Sequence, residues 1–103
     1  MKAVAIESST EILSLCGRSG DLFFEVTRDV DLRHAEQILP LVDLVLKNLG
    51  ISAGDLDMVV AARGPGSFTG LRIGMAAAKG LCAAAGCPCV SVPTLDVYGS
   101  LVP

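Results

Sequence analysis

The sequence predicts an α/β fold on a mixed five-stranded sheet: a three-strand meander, then parallel strands joined by crossover helices. Three observations predict it. Short apolar runs crowd residues 3–27 with only tight turn signals between them. Two helical periodicities follow, over 35–49 and 69–85, and each is succeeded by a further apolar run, at 58–63 and 89–92.

The strands come first. Residues 3–7, 12–16 and 22–27 read as three successive strands, broken by Ser-Ser-Thr-Glu and Arg-Ser-Gly-Asp. The first helix, 35–49, closes at Gly50, a residue able to take the left-handed conformation that ends helices, and Pro40 either kinks it or marks its start. The fourth strand, 58–63, is continuously apolar, as in a sheet whose two faces are both covered by helices. Gly64-Pro65-Gly66-Ser67 leads to the second helix, which ends at Gly86. A fifth strand over 89–92 runs into Pro93 and Thr94, the expected cap of a third helix. This order is that of an actin-like, or ribonuclease H-like, lobe. The expected organisation is a single N-terminal lobe over 1–103, part of a longer two-lobed protein.

Composition narrows the function classes. Of 103 residues, 51% are hydrophobic, enough for one core. A formal charge of −3, with the eight basic residues scattered, disfavours unaided nucleic-acid binding. No run approaches the roughly 18 apolar residues of a membrane span, and no signal peptide is evident. No membrane association and a cytoplasmic location are expected, with the four cysteines reduced.

Both helices carry more apolar surface than one covering face requires. In the first, Ile38, Val42, Val45 and Leu49 form the central stripe, flanked by Leu39 and Leu46, with Leu41 and Leu44 widening the arc. In the second, Leu71, Met75, Ala78 and Cys82 share one face and Ile73, Ala77 and Ala84 the opposite one. Gly70, Gly74 and Ala78 leave a shallow ridge that another helix could approach. A partner interface is therefore expected at Leu41, Val42, Val45, Ile73, Gly74, Met75, Ala77 and Leu81.

The loop from Arg63 to Gly74 joins a strand to a helix N-terminus, where free amides favour an anion. It lacks both the Gly-Lys-Ser/Thr of a phosphate-binding P-loop and the glycine spacing of a dinucleotide fold. A weak cofactor-binding candidate consists of Glu7, Gly64, Gly66, Ser67, Thr69 and Gly70. The plain alternative is that Gly64 and Gly66 permit a turn, Ser67 or Thr69 caps the helix, and Gly70 and Gly74 permit close packing. No cofactor is expected.

As a string, Gly64-Pro65-Gly66-Ser67-Phe68-Thr69-Gly70-Leu71-Arg72-Ile73-Gly74 resembles the signature of the TsaB (YeaZ) family, long called glycoprotease-like. Glu7-Ser8-Ser9-Thr10, Arg33-His34-Ala35-Glu36 and Val92-Pro93-Thr94-Leu95 extend the resemblance over nearly the whole chain. The resemblance implies an actin-like fold and a non-catalytic subunit in tRNA threonylcarbamoyladenosine synthesis. It also implies pairing with a TsaD-like catalytic subunit through N-terminal helices, binding of a TsaE-like ATPase, and a homodimer when alone. Relatives often carry Asp where Glu7 stands. The TsaD metal motif needs two histidines on one helix, whereas this chain has only His34.

Rival chemistries are weaker. His34-Ala35-Glu36 with Pro88-Cys89 resembles a zinc deaminase, but position 92, where a second cysteine belongs, is Val92, leaving too few ligands. Cys87-Pro88-Cys89 fits a turn entering a strand better than a metal site. Ser67 lacks the Gly-x-Ser-x-Gly context of a nucleophile elbow, and no metal or catalytic residue is expected. His34 is expected to be solvated or capping. Glu7 is either a carboxylate near nucleotide phosphates or a structural acceptor for loop amides. The alternative function is therefore a nucleotide-binding lobe, or a glycoprotease-like enzyme, in its own right.

Overall fold

The computed structural model describes residues 1–31 and 33–93. Five strands, β1 (Lys2–Glu7), β2 (Ile12–Ser19), β3 (Leu22–Asp29), β4 (Met58–Ala62) and β5 (Cys89–Val92), form one sheet in the order β3-β2-β1-β4-β5. β1 is antiparallel to β2 and β2 to β3, whereas β4 is parallel to β1 and β5 to β4. Two helices, α1 (His34–Leu49) and α2 (Phe68–Ala85), make the crossovers. The expected third helix begins at Thr94 and lies outside the described residues.

β2 and β3 outrun their apolar segments. A two-residue turn with Gly20 at φ 63° pairs Ser19 with Leu22, and the antiparallel ladder continues down to Ile12 and Asp29. Backbone pairing extends these strands where side-chain pattern alone stops.

Both described helices lie on one face of the sheet. Successive right-handed crossovers that advance in the same direction across a sheet place their helices on the same side. The main core accordingly joins Val4, Ile6, Leu13, Leu15, Val59 and Ala61 of the sheet to Ile38, Val42, Val45 and Leu49 of α1 and to Ala78 and Cys82 of α2. The opposite face carries a second, smaller cluster of Ala3, Ala5, Cys16, Val60 and Ala62. The continuous apolar run of β4 reflects these two clusters.

α1 and α2 end alike. Gly50 and Gly86 take the left-handed conformation, at φ 69° and 67°. Each helix end folds back through hydrogen bonds: Ile51 N–H donates to Leu46 O at 3.1 Å, and Cys87 N–H to Cys82 O at 3.2 Å. Pro40 sits inside α1 rather than at its start, on the exposed side where a missing N–H leaves no buried carbonyl stranded. A short 3₁₀ turn, Ala53–Asp55, was not legible in the periodicity. It is held by a Ser52–Asp55 capping box that keeps the Asp55 carboxyl below its ordinary pKa through hydrogen bonds from the Ser52 amide and hydroxyl.

Cys16 is fully buried in β2, and burial first, then the Glu25 carboxylate, pushes its thiol up to about 12. The folded state therefore favours the neutral thiol. That stability is complete below the unfolded-state value near 9 and drains away as pH rises toward 12. Denaturant midpoints should be level through neutral pH and fall above about pH 9. Cys16→Ala should flatten much of that fall, and an unchanged alkaline slope in the variant would refute the assignment to Cys16.

Candidate functional site

The C-terminal ends of β1 and β4 lie side by side, because these strands are parallel neighbours. Their exits, Ser8-Ser9 and 63–67, meet the start of α2. In parallel sheets this edge is where ligands bind. Here the chain fills it tightly. Ser8 and Ser9 are buried, and Ser9 O accepts the Ser67 amide at 2.5 Å. Ser67 caps α2, its Oγ accepting from the Gly70 amide at 3.3 Å. Gly64 sits at φ 112°, before a cis peptide bond to Pro65.

Three glycines let the two segments touch. A Cβ on Gly66 would lie 2.6 Å from Ser9 O, one on Gly70 would run into the Ser8 carbonyl, and one on Gly74 would meet Ser8 Oγ. The stripe Gly70, Gly74, Ala78, Cys82 is thus the inward face of α2. Its small residues admit the β1 exit of the same chain, not a partner helix, and Gly74 is corrected accordingly as an interface residue.

Glu7 stands at the end of β1. Its Oε1 accepts the Ser9 amide at 2.6 Å and the Ser9 hydroxyl, while Oε2 is buried with no hydrogen-bond partner. Carbonyls of Ser8 and Ser9 crowd the start of α2 and would repel an added phosphate. Of the cofactor candidates, the structure brings Glu7, Gly66, Ser67 and Gly70 together through Ser8 and Ser9, sets Gly64 against Leu71, and leaves Thr69 exposed. The geometry favours Glu7 as a structural acceptor, through the Ser9 amide and hydroxyl, with Oε2 buried and unpartnered.

His34 is neither solvated nor capping. It is 1% exposed, and its Nε2 lies 2.6 Å from Thr10 O, which makes that nitrogen the donor. Its ring would also stand 3.3 Å from a Cβ on Gly70, so it plugs the corner between α1, the β1–β2 turn and α2. Burial of a residue at a helix start depends on what the rest of the fold brings over it, and local pattern carries no sign of that.

A second surface feature lies between α1 and α2. A groove of about 560 Å³ is lined by Ala35, Ile38, Leu39, Ile73, Ala76, Ala77, Gly80 and Leu81. Every lining side chain is apolar, and Leu39 is 61% exposed. Ile73, Ala77 and Leu81, expected at an interface, line it. Met75 lies on another flank of α2, beside Arg63, Phe68 and Arg72. Leu41, Val42 and Val45, also expected at an interface, are buried at 4%, 3% and 0% exposure in the main core. The correction has a simple cause: α1 turns a broad apolar arc to the core, taking in Leu41 and Leu46 as well as the central stripe, and leaves Ala35 and Leu39 outside. Leu39 was visible in the sequence as a flanking residue, which was the signal available.

Comparisons with known proteins agree with the fold. A family model described as TsaD, tRNA N6-adenosine threonylcarbamoyltransferase, matches residues 26–100. The tRNA threonylcarbamoyladenosine biosynthesis protein TsaB of Escherichia coli (strain K12) is 37% identical over 98 residues, covering 92% of this chain and 41% of that protein. The protein of the same name from Haemophilus influenzae is 33% identical, covering 89% and 39%. YeaZ from Pseudomonas aeruginosa superposes with a TM-score of 0.84 at 29% identity, over 89% of this chain and 43% of that one. The chain thus spans about two fifths of the length of these relatives. Signature, strand order and matched relatives concur that the chain belongs to the TsaB (YeaZ) family, within the group that the TsaD model describes.

Proposed function

We propose that this chain is a non-catalytic docking lobe of the tRNA threonylcarbamoyladenosine machinery. It binds a TsaD-like catalytic subunit through the groove between α1 and α2, and pairs with a second copy of itself when that subunit is absent. A TsaE-like ATPase joins the assembly in the cytoplasm, and tRNA is reached through the partners rather than by this lobe. The family membership supports the pathway. The groove carries the docking role: an unbroken apolar lining with a largely exposed leucine on its rim fits a helical partner better than solvent.

Several groups that could serve as base or nucleophile near the β1 and α2 ends are engaged in the fold, which supports a role other than catalysis of the transfer. His34 is spent on Thr10 O. Cys16 and Cys82 are pushed up to about 12, chiefly by burial, and hold their protons. The Glu7 carboxylate is bound to Ser9.

Leu39→Glu tests the proposal. Leu39 is mostly exposed, so the variant should keep its fold, with stability changed by no more than about 0.5 kcal/mol. A charge at an apolar rim should weaken TsaD binding by about 2 kcal/mol or more, a loss of roughly 30-fold, in calorimetric titration. Leu22→Glu, on the far edge strand and 52% exposed, should bind like the parent. A folded Leu39→Glu protein with undiminished binding would remove the groove from the interface.

A further inference from the structure

Cys82, Cys87 and Cys89 converge where α2 hands over to β5. Cys82 lies in the last turn of α2, and the amides of Gly86 and Cys87 fold back onto its carbonyl oxygen at 2.8 and 3.2 Å. In such a helix end the side chains of the first and last residues of the motif frequently approach one another, and here these are Cys82 and Cys87. Cys87 packs against the main core beside Cys82. Pro88 then leads into Cys89, which pairs with Val59. Alternation along β5 sends Val92 to the smaller cluster and therefore Cys89 to the helix side, the side of Val59 and Cys82. Cys82 and Cys87 thus belong to one helix cap, and Cys89 stands on the same side of the sheet.

The three form a gradient of access. Cys82 is 8% exposed, Cys87 is half-buried and Cys89 is exposed. A gradient of this kind, with neighbouring thiols behind an exposed one, is what thiol–disulfide exchange requires: an accessible attacking sulfur and a second sulfur within reach to resolve the product.

We propose that Cys89 and Cys87 form a thiol–disulfide exchange site that takes low-molecular-weight disulfides such as glutathione disulfide. The Cys89 thiolate attacks one sulfur of the small disulfide, forming a mixed disulfide and releasing one thiolate. The Cys87 thiolate then attacks the Cys89 sulfur, closing a Cys87–Cys89 disulfide across Pro88 and releasing the second thiolate. The protein loses two hydrogens, and the small disulfide is reduced to two thiols. Cys82 is not the resolving group: it is buried in the helix end, whereas Cys87 is only half-buried and close in sequence to Cys89, with Pro88 alone between them. No part of this depends on the docking groove.

Intact-mass and peptide-mapping mass spectrometry of the folded chain, treated with excess glutathione disulfide under mildly alkaline conditions, tests the proposal. The parent chain should end two hydrogens lighter, with the new bond mapped to Cys87 and Cys89. Cys87→Ser should stop as a single glutathione adduct on Cys89, and Cys89→Ser should react at least about tenfold more slowly. Cys82→Ala should close the same disulfide as the parent. The fully buried Cys16 reports on the fold, since it reacts only if the sheet opens. A parent chain that keeps stable glutathione on Cys89, a bond mapped to Cys82, or equal labelling of Cys16 and Cys89 would each overturn the assignment.

Discussion

Gly70→Ala should destabilise the protein by about 2–3 kcal/mol, although alanine is the better helix former by about 1 kcal/mol. The added Cβ would run into the Ser8 carbonyl and come within 3.3 Å of the His34 ring. A backbone oxygen has no rotamer to escape to, so either α2 or the β1 exit must move. Gly74→Ala should cost less, about 1–2 kcal/mol, because its obstacle is the Ser8 side chain, with Ser8 Cβ at 3.0 Å. Ser8→Gly removes that side chain. In a double-mutant cycle read by denaturant unfolding, Ser8→Gly should therefore relieve Gly74→Ala and leave the cost of Gly70→Ala in place. Equal relief at both positions, or none at either, would mean that the β1 exit does not pack on α2 in this register.

Ile6→Ala should cost about 3–4 kcal/mol, near the upper part of the range for emptying a buried aliphatic site. Ile6 is fully buried in β1, the central strand, with β2 on one side and β4 on the other. Neither neighbour can close on the void without breaking its own ladder. Leu22 provides the contrast: it is 52% exposed on the edge strand, and Leu22→Ala should change stability by less than about 0.5 kcal/mol. Thermal or denaturant unfolding distinguishes the two, and comparable losses at both positions would contradict the placement of the core.

Much of the fold was legible in the sequence because it depends on near neighbours. Alternation and helical period mark five strands and two helices within a few residues of their observed ends. Gly50 and Gly86 close their helices because the left-handed cap is a local requirement, and Ser67 caps α2 through an amide three residues away. Where the strands ran on, as β2 does to Ser19, the extra residues are held by cross-strand pairing that apolar pattern does not register.

The candidate site was legible in its parts and not in its assembly. Glu7 and the glycine loop could be picked out as residues at the end of a strand and the start of a helix, but only the parallel pairing of β1 with β4 sets them side by side. The orientation of α2 was decided in the same way. A helix apolar on several sides offers several possible inward faces, and periodicity cannot rank them. The close approach of Ser8 and Ser9 selects the one made of Gly70, Gly74 and Ala78, since no bulkier stripe could accommodate a backbone carbonyl. That choice buries His34, keeps Gly70, Gly74 and Ala78 inside the fold, and turns Ile73, Ala77 and Leu81 toward the groove. Residue chemistry and local period thus determined which elements form and where they stop. Contacts between segments distant along the chain decided which faces meet, because steric fit at the crossing of β1 and α2 is a property of neither segment alone.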